Sequence, residues 1–317
     1  MLLTQFKVGN RLDRQEVILW VQKTSQSANG SWFIRGTMED RSGSLGFICF
    51  NNESVERVKE LTSAVPAVVS GHIQVDKYGS DGRLQILADV IELLPPGHDA
   101  SHLLPVTRKD TVDYRRRFEA LIESVESKPV RELLSLAFSG SRLEQFSKNP
   151  AAKRYHHAYI GGLLEHSVDV AELASAIAKT VPGADIDKVI AGALLHDIGK
   201  IAEISSEIGF AYTISGHLVG HITLGALMIE SVARQVEDLP AEYLQEILHI
   251  VLSHHGSREK GSPVGCATRE AFVVHYADEL NAVLQQFVQP AETNGTASDW
   301  VFNRMTQSWI KTGSSDS

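Results

Sequence analysis

The sequence predicts a multidomain α and β protein, a five-stranded β-barrel followed by an all-α helical bundle. Residues 1–95 break into short β-branched and aromatic runs separated by turn residues. From Val112 onward, apolar residues recur at helical spacing with no comparable strand-like run between them. The chain has 317 residues, 43% of them hydrophobic and 22% charged, enough for two domains with their own cores and too apolar for wholesale disorder.

Five strands are predicted: Glu16–Val21, Ser31–Thr37, Gly43–Phe50, Ala67–Val75 and Arg83–Val90. Asn29-Gly30, Ser42-Gly43 and Gly79-Ser80-Asp81-Gly82 punctuate them. Between the third and fourth strands, Ser54–Leu61 has apolar spacing of three, which predicts a short helix capped by Ser54. Three strands, a helix and two strands is the order of an OB-fold barrel. Pro95-Pro96-Gly97 closes this region, and the polar stretch 96–110 reads as a linker. The helical domain is expected over 111–310. Phe118, Leu121, Ile122 and Val125 form its first apolar stripe, and Val130, Leu133, Leu134 and Ala137 its second. Residues 311–317 read as a mobile tail.

Composition narrows the function. Thirty basic against 39 acidic residues give a net charge of −9, which excludes a protein that coats nucleic acid by bulk charge. The two cysteines, Cys49 and Cys266, lie in unrelated segments, so neither a disulfide framework nor a cysteine-rich zinc site is available. No apolar run reaches the roughly 18 residues of a membrane span. The N-terminus lacks the apolar core of a secretory signal, so a cytoplasmic, membrane-free protein is expected.

The informative excess is histidine. Of 13 histidines, all but His72, His98 and His102 fall between residues 156 and 275. In order, His166, the doublet His196-Asp197, His221, the doublet His254-His255 and Asp278 sit in or directly after apolar helical stretches. A carboxylate in such surroundings needs compensation. Imidazole and carboxylate together suit Mn²⁺, Fe²⁺ or Zn²⁺, and seven ligands suit two ions better than one tetrahedral ion. Gly199, two residues after Asp197, lets the chain turn or another group approach closely. His217 competes with His221 for one position. Lys200 is placed to bind a phosphate oxygen as a point charge.

The wording around these residues resembles the HD phosphohydrolase superfamily, whose two-metal members carry the pattern H…HD…H…HH…D. It resembles more closely the YhaM-type 3′–5′ exoribonucleases, which join an OB-fold to an HD domain. The resemblance rests on Tyr155–His166, Leu194–Lys200, Gly220-His221-Ile222, Ile250–Gly256, Gly261-Ser262-Pro263 and His275–Asp278. It implies two divalent cations, manganese first, with Fe²⁺, Co²⁺ or Mg²⁺ as alternatives. His166, His196, Asp197 and Asp278 would hold one. Asp197, His221, His254 and His255 would hold the other, with Asp197 bridging and His221 preferred over His217 for its Gly-His context.

The implied reaction is removal of nucleoside 5′-monophosphates from the 3′ end of single-stranded RNA, or of ssDNA, by metal-activated water. Asp197, Lys200, His156 and His157 are the catalytic candidates, the two histidines as groups that face substrate or protonate the leaving oxygen. Glu165 reads as a helix-surface charge. The barrel would grip the strand through aromatic stacking beside cations. Trp32, Phe33, Phe47, Phe50 and Tyr78 are candidates for stacking, and Arg35, Lys77 and Arg83 for phosphates, although alternation must send about half of such residues inward. Arg115-Arg116-Arg117 adds a basic run after the linker. An HD phosphodiesterase acting on a cyclic dinucleotide or a nucleotide is the first alternative, weakened because no Gly-Tyr-Pro follows His254-His255. A non-catalytic nucleic-acid-binding regulator is the second, weakened because all seven candidate ligands are retained. The long helical faces permit a homo-oligomer.

Overall fold

The computed structural model describes residues 2–27, 29–76, 84–153, 157–288, 300–303 and 308–311. They divide into two compact units. One comprises the described residues of Met1–Pro105, Glu207–Gly209 and Val288–Ser317, the other those of Val106–Ser206 and Phe210–Phe287.

The first unit is built on a closed five-stranded barrel of order β1-β2-β3-β5-β4, with β4 paired back to β1. Its strands are β1 (Arg11–Gln26), β2 (Trp32–Asp40), β3 (Gly43–Cys49), β4 (Val65–Val75) and β5 (Leu84–Leu93), and α1 (Asn52–Val58) lies between β3 and β4. All pairings are antiparallel except β3 with β5. This is the expected OB-fold arrangement. β1 is far longer than the apolar run that announces it. Register shifts at Leu12/Gln15 and Val21/Lys23 bend it around the barrel. At the second bend Gly36 is required, because a Cβ there would collide with the carbonyl oxygen of Trp20.

Alternation sorts the aromatic residues. Ile34 and Met38 on β2 point inward with Phe47 and Cys49 on β3. Phe47 is therefore core and not a base-stacking residue, which corrects that expectation. Ser54 does not cap α1. Asn51 does, its side chain accepting from Ser54 N at 2.9 Å, while the Ser54 hydroxyl accepts from Ile91 N at 3.0 Å and ties the helix to β5. In the stretch read as a polar linker, Ala100, Leu103 and Leu104 are buried.

The second unit is helical. Its elements are α2 (Thr111–Glu123), α3 (Lys128–Ala137), α4 (Ser141–Lys148), α5 (Gly162–Ala178), α6 (Ile186–Leu195), α7 (Lys200–Glu203), α8 (Ile214–Leu218), α9 (His221–Ala233), α10 (Ala241–Ser253) and α11 (Arg269–Val288). Val130, Leu133, Leu134 and Ala137 all face the core, as their spacing predicts. Phe118, Phe138 and Phe146 meet there with ring centroids 4.8–5.7 Å apart. α5 and α6 are apolar around most of their circumference because other helices cover them on several sides. The described residues past Val288 differ from the helical domain expected to residue 310. Trp300–Asn303 (β6) pairs antiparallel with Ser308–Lys311 (β7), two short aromatic and β-branched runs that group with the first unit.

Candidate metal centre

Five helical elements deliver the histidine and aspartate side chains to one place. His166 projects from the first turns of α5, and His196-Asp197 follows the last residue of α6. His221 opens α9, His254-His255 follows α10, and Asp278 lies in the middle of α11. The turn after Asp197 works because residue 199 is glycine. A Cβ there would collide with the carbonyl oxygen of His221. The close approach is thus of another backbone, and it brings the start of α9 against the His-Asp turn.

The two carboxylate oxygens of Asp197 face different partners. Oδ2 lies 3.3 Å from His196 Nε2 and 3.5 Å from His166 Nε2. Oδ1 lies 3.5 Å from His221 Nε2 and 3.8 Å from His254 Nε2. Asp278 Oδ1 is 3.2 Å from His166 Nε2. Ligand atoms of His166, His196 and Asp197 all fall within 4.8 Å of one another, and so do those of His221, His254 and His255. Either group could hold a cation.

The opposite ring nitrogens explain why the Nε2 atoms of His166, His196, His221 and His254 point inward. His196 Nδ1 donates to the Ala193 carbonyl at 2.6 Å, His254 Nδ1 to that of Val251 at 2.7 Å and His255 Nδ1 to that of Lys260 at 3.0 Å. His166 Nδ1 donates to Asn281 Oδ1 at 2.9 Å, and His221 Nδ1 to Glu203 Oε1 at 3.1 Å. With the proton on Nδ1, His166, His196, His221 and His254 each turn an Nε2 lone pair toward Asp197, the tautomer a metal-binding imidazole needs. His166 Nε2 and His196 Nε2 then face each other at 3.2 Å, an arrangement that needs a proton or a cation between them. Asp197 Oδ1, His221 Nε2 and His254 Nε2 are buried with no hydrogen-bond partner among the described residues. Three convergent orphaned acceptors are what a cation site leaves when only protein atoms are considered. The donor set therefore fits divalent cations.

The electrostatics agree. Burial opposes the charge on Asp197, yet the Lys200 ammonium at 2.6 Å and the His196 ring hold its pKa well below the usual carboxylate value. Asp278 is likewise lowered, against burial, chiefly by its hydrogen bond to His166. Burial, reinforced by His196, pushes His254 down and keeps it neutral, and burial also lowers His255. Burial works against protonation of His196 too, but the Asp197 carboxylate outweighs it and raises that pKa.

A family model for the HD domain matches residues 163–283, and one for the HDOD domain matches residues 115–206. The chain carries an HD domain. HD domains are generally metal-dependent phosphohydrolases, and the matched span contains every ligand candidate from His166 to Asp278. The HDOD match overlaps it from Leu163 to Ser206 and reaches back through α2, α3 and α4.

Around the HD-domain centre the other expected residues are sorted. His217 is not among the convergent rings and packs against Tyr212. Lys200 reaches the centre through Asp197. His157 is fully buried behind His166, held by Tyr159 Oη at 2.8 Å and Asn281 Oδ1 at 3.3 Å. It backs the centre and does not open onto substrate. His156, Lys77, Tyr78 and Arg83 lie outside the described residues. Glu165 is buried, not a surface charge. It accepts from Thr107 Oγ1 at 2.5 Å and pairs with Lys109 at 2.9 Å. The basic run is neutralised locally, with Arg115 on Glu119, Arg116 on Asp113 and Arg117 on Asp169 and Glu172. On the barrel, Trp32 and Phe50 are exposed, the Phe33 and Phe50 rings lie 5.5 Å apart, and Arg35 sits 5.7 Å from the Phe33 centroid.

Sequence reasoning passes over Glu203 and Asn281, the two side chains that orient His221 and His166. Each lies three residues after a recognised residue, Lys200 and Asp278, on the same helical face. Glu203 Oε1 also accepts from His221 N at 2.9 Å, and its own pKa is lowered against burial by His221. Glu203→Ala is expected to weaken Mn²⁺ binding by about 10–100-fold, the usual loss when a partner behind a ligand is removed. Calorimetric titration of purified variant and wild type checks this.

Proposed function

We propose that the protein is a metal-dependent 3′–5′ exonuclease that hydrolyses single-stranded RNA, or ssDNA, to nucleoside 5′-monophosphates, as the YhaM-type enzymes it resembles do. The observation that carries the phosphodiester chemistry is the pair of ligand groups sharing Asp197, one on each carboxylate oxygen. His166, His196, Asp197 and Asp278 would hold one cation, and Asp197, His221, His254 and His255 a second. Two such ions, Mn²⁺ first among those that suit this donor set, supply an activated water and neutralise charge on the phosphoryl oxygens.

The chain's own residues do the rest. The Nδ1 anchors fix the imidazoles before substrate arrives, so little reorganisation remains at the moment of reaction. Lys200 stays protonated because Asp197 raises its pKa against burial, and it offers a cation to a phosphate oxygen beside the scissile bond. The barrel contributes the grip. Phe33, Phe50 and Arg35 combine aromatic faces with a cation on its outer side, with Trp32 exposed at the start of β2, the combination that binds single strands without reading sequence.

A defined single-stranded RNA carrying a 5′ label, incubated with Mn²⁺ and resolved by mass, tests the proposal. The expected products are 5′-monophosphates and a ladder shortened from the 3′ end. Intact RNA and ssDNA, with turnover of a cyclic dinucleotide or a nucleotide, would assign the centre to the other branch of HD chemistry.

A further inference from the structure

The segment between α7 and α9 carries exposed apolar and aromatic side chains that the centre does not use. Ile214 and Leu218, one turn apart on α8, are 81% and 80% exposed, and Tyr212 is 41% exposed. The Tyr212 and His217 rings meet edge to face at 5.3 Å. Lys153 Nζ lies 5.7 Å from the Tyr212 centroid.

This surface is held rigidly to the centre. Ile204 and Tyr212 form a β-bridge, and Ser205 N donates to Ala211 O at 2.9 Å. Thr213 caps α8, its hydroxyl accepting from Gly216 N and donating to Ala202 O at 2.6 Å. Gly216 packs directly on Glu203, where a Cβ would overlap the Glu203 carbonyl oxygen. Glu203 in turn holds the His221 ring. Through Gly216 the segment that carries the ring pair adjoins Glu203, the residue that holds the His221 ring. On the other side, α7 begins at Lys200, which contacts Asp197.

We propose that Tyr212 and His217, with Lys153 beside them, form a subsite that stacks a nucleobase of the single-stranded substrate next to the metal centre. The proposal rests on reading that centre as a single-strand nuclease. With Lys153 over one face of the Tyr212 ring, the aromatic surface left exposed suits a base and the ammonium beside it suits the adjoining phosphate. Stacking accepts any base, so the subsite positions the strand without selecting sequence.

The test pairs kinetics with binding. Tyr212→Ala is expected to lower kcat/KM on an RNA oligonucleotide about tenfold more than on bis(p-nitrophenyl) phosphate, with the loss carried by KM, and Tyr212→Trp to restore it. In an Asp197→Asn background, an oligonucleotide with 2-aminopurine at its 3′ end should be quenched on binding, and Tyr212→Ala should remove the quench. Equal losses on both substrates, or an unaltered quench, would overturn the subsite. So would a concentration-dependent dimer in sedimentation that Tyr212→Ala disrupts while KM stays fixed, since a second copy would then be the occupant. Wild-type protein that binds and quenches the oligonucleotide yet releases no mononucleotide would sink the nuclease reading and leave the subsite standing.

Discussion

Asp197→Ala is expected to lower phosphodiester hydrolysis by at least about a thousandfold, roughly 4 kcal/mol of barrel-independent transition-state stabilisation. Among the described residues, Asp197 is the one whose two oxygens face both groups of candidate ligands. Its loss removes a ligand from each cation and the negative charge that keeps them close. It also strands Lys200, whose side chain is only 15% exposed and whose ammonium pairs with Asp197 at 2.6 Å. An uncompensated buried charge costs about 3–5 kcal/mol, so the alanine variant should also be less stable. Asp197→Asn removes the same charge but keeps the shape and an oxygen that can accept from Lys200, so it should lose activity with a smaller loss of stability than the alanine variant. Both variants should still bind single-stranded RNA through the barrel face of Phe33, Phe50 and Arg35, as measured by fluorescence anisotropy. An Asp197→Asn protein that turns over at the wild-type rate would refute the shared-carboxylate assignment.

What was legible in the sequence follows from how local each signal is. The OB-fold strand order can be read because alternation and turn residues act within a few residues of each other, and the helix stripes for the same reason. The candidate ligands can be read because imidazoles and carboxylates at the ends of apolar helices have few other uses. Partners from distant elements are not legible in this way. Glu165 looks like a surface charge because the Lys109 that compensates it lies 56 positions earlier and on no shared helix. Asn281 and Glu203 look unremarkable until α11 and α7 are packed against the rings they hold. Phe47 and Phe33 differ only in strand register, which no composition rule separates. The β6–β7 pair is missed because two four-residue runs carry too little periodicity to compete with the long helical pattern before them.

Adding Mn²⁺ to chelator-treated protein is expected to raise the melting temperature of the helical unit, and the rise should grow with pH. A ligand present at about a thousand times its dissociation constant stabilises the native state by about 4 kcal/mol. For a domain of this size that corresponds to about 8 °C or more. The pH dependence follows from His196. Its pKa is raised because Asp197 outweighs the burial that opposes protonation. Its proton therefore stabilises the fold below the unfolded value of about 6.5, and that contribution is lost as pH rises through the folded value. A cation takes the place of the proton, so its advantage increases across the same window. His254 behaves oppositely. Burial holds it neutral, so it is a ready ligand throughout and should not gate binding near neutral pH. His196→Ala should lose the pH-dependent part of the Mn²⁺ rise and keep at most the share of the cation assigned to Asp197, His221, His254 and His255, judged against its own melting temperature in chelator, because the substitution also leaves a cavity. Differential scanning fluorimetry from about pH 5.5 to pH 8 reads all of these at once. A melting temperature indifferent to Mn²⁺, Fe²⁺, Co²⁺ and Mg²⁺ across that range would mean that the inward imidazoles are held together by shared protons alone, and the phosphodiester chemistry built on them would fall with the cations.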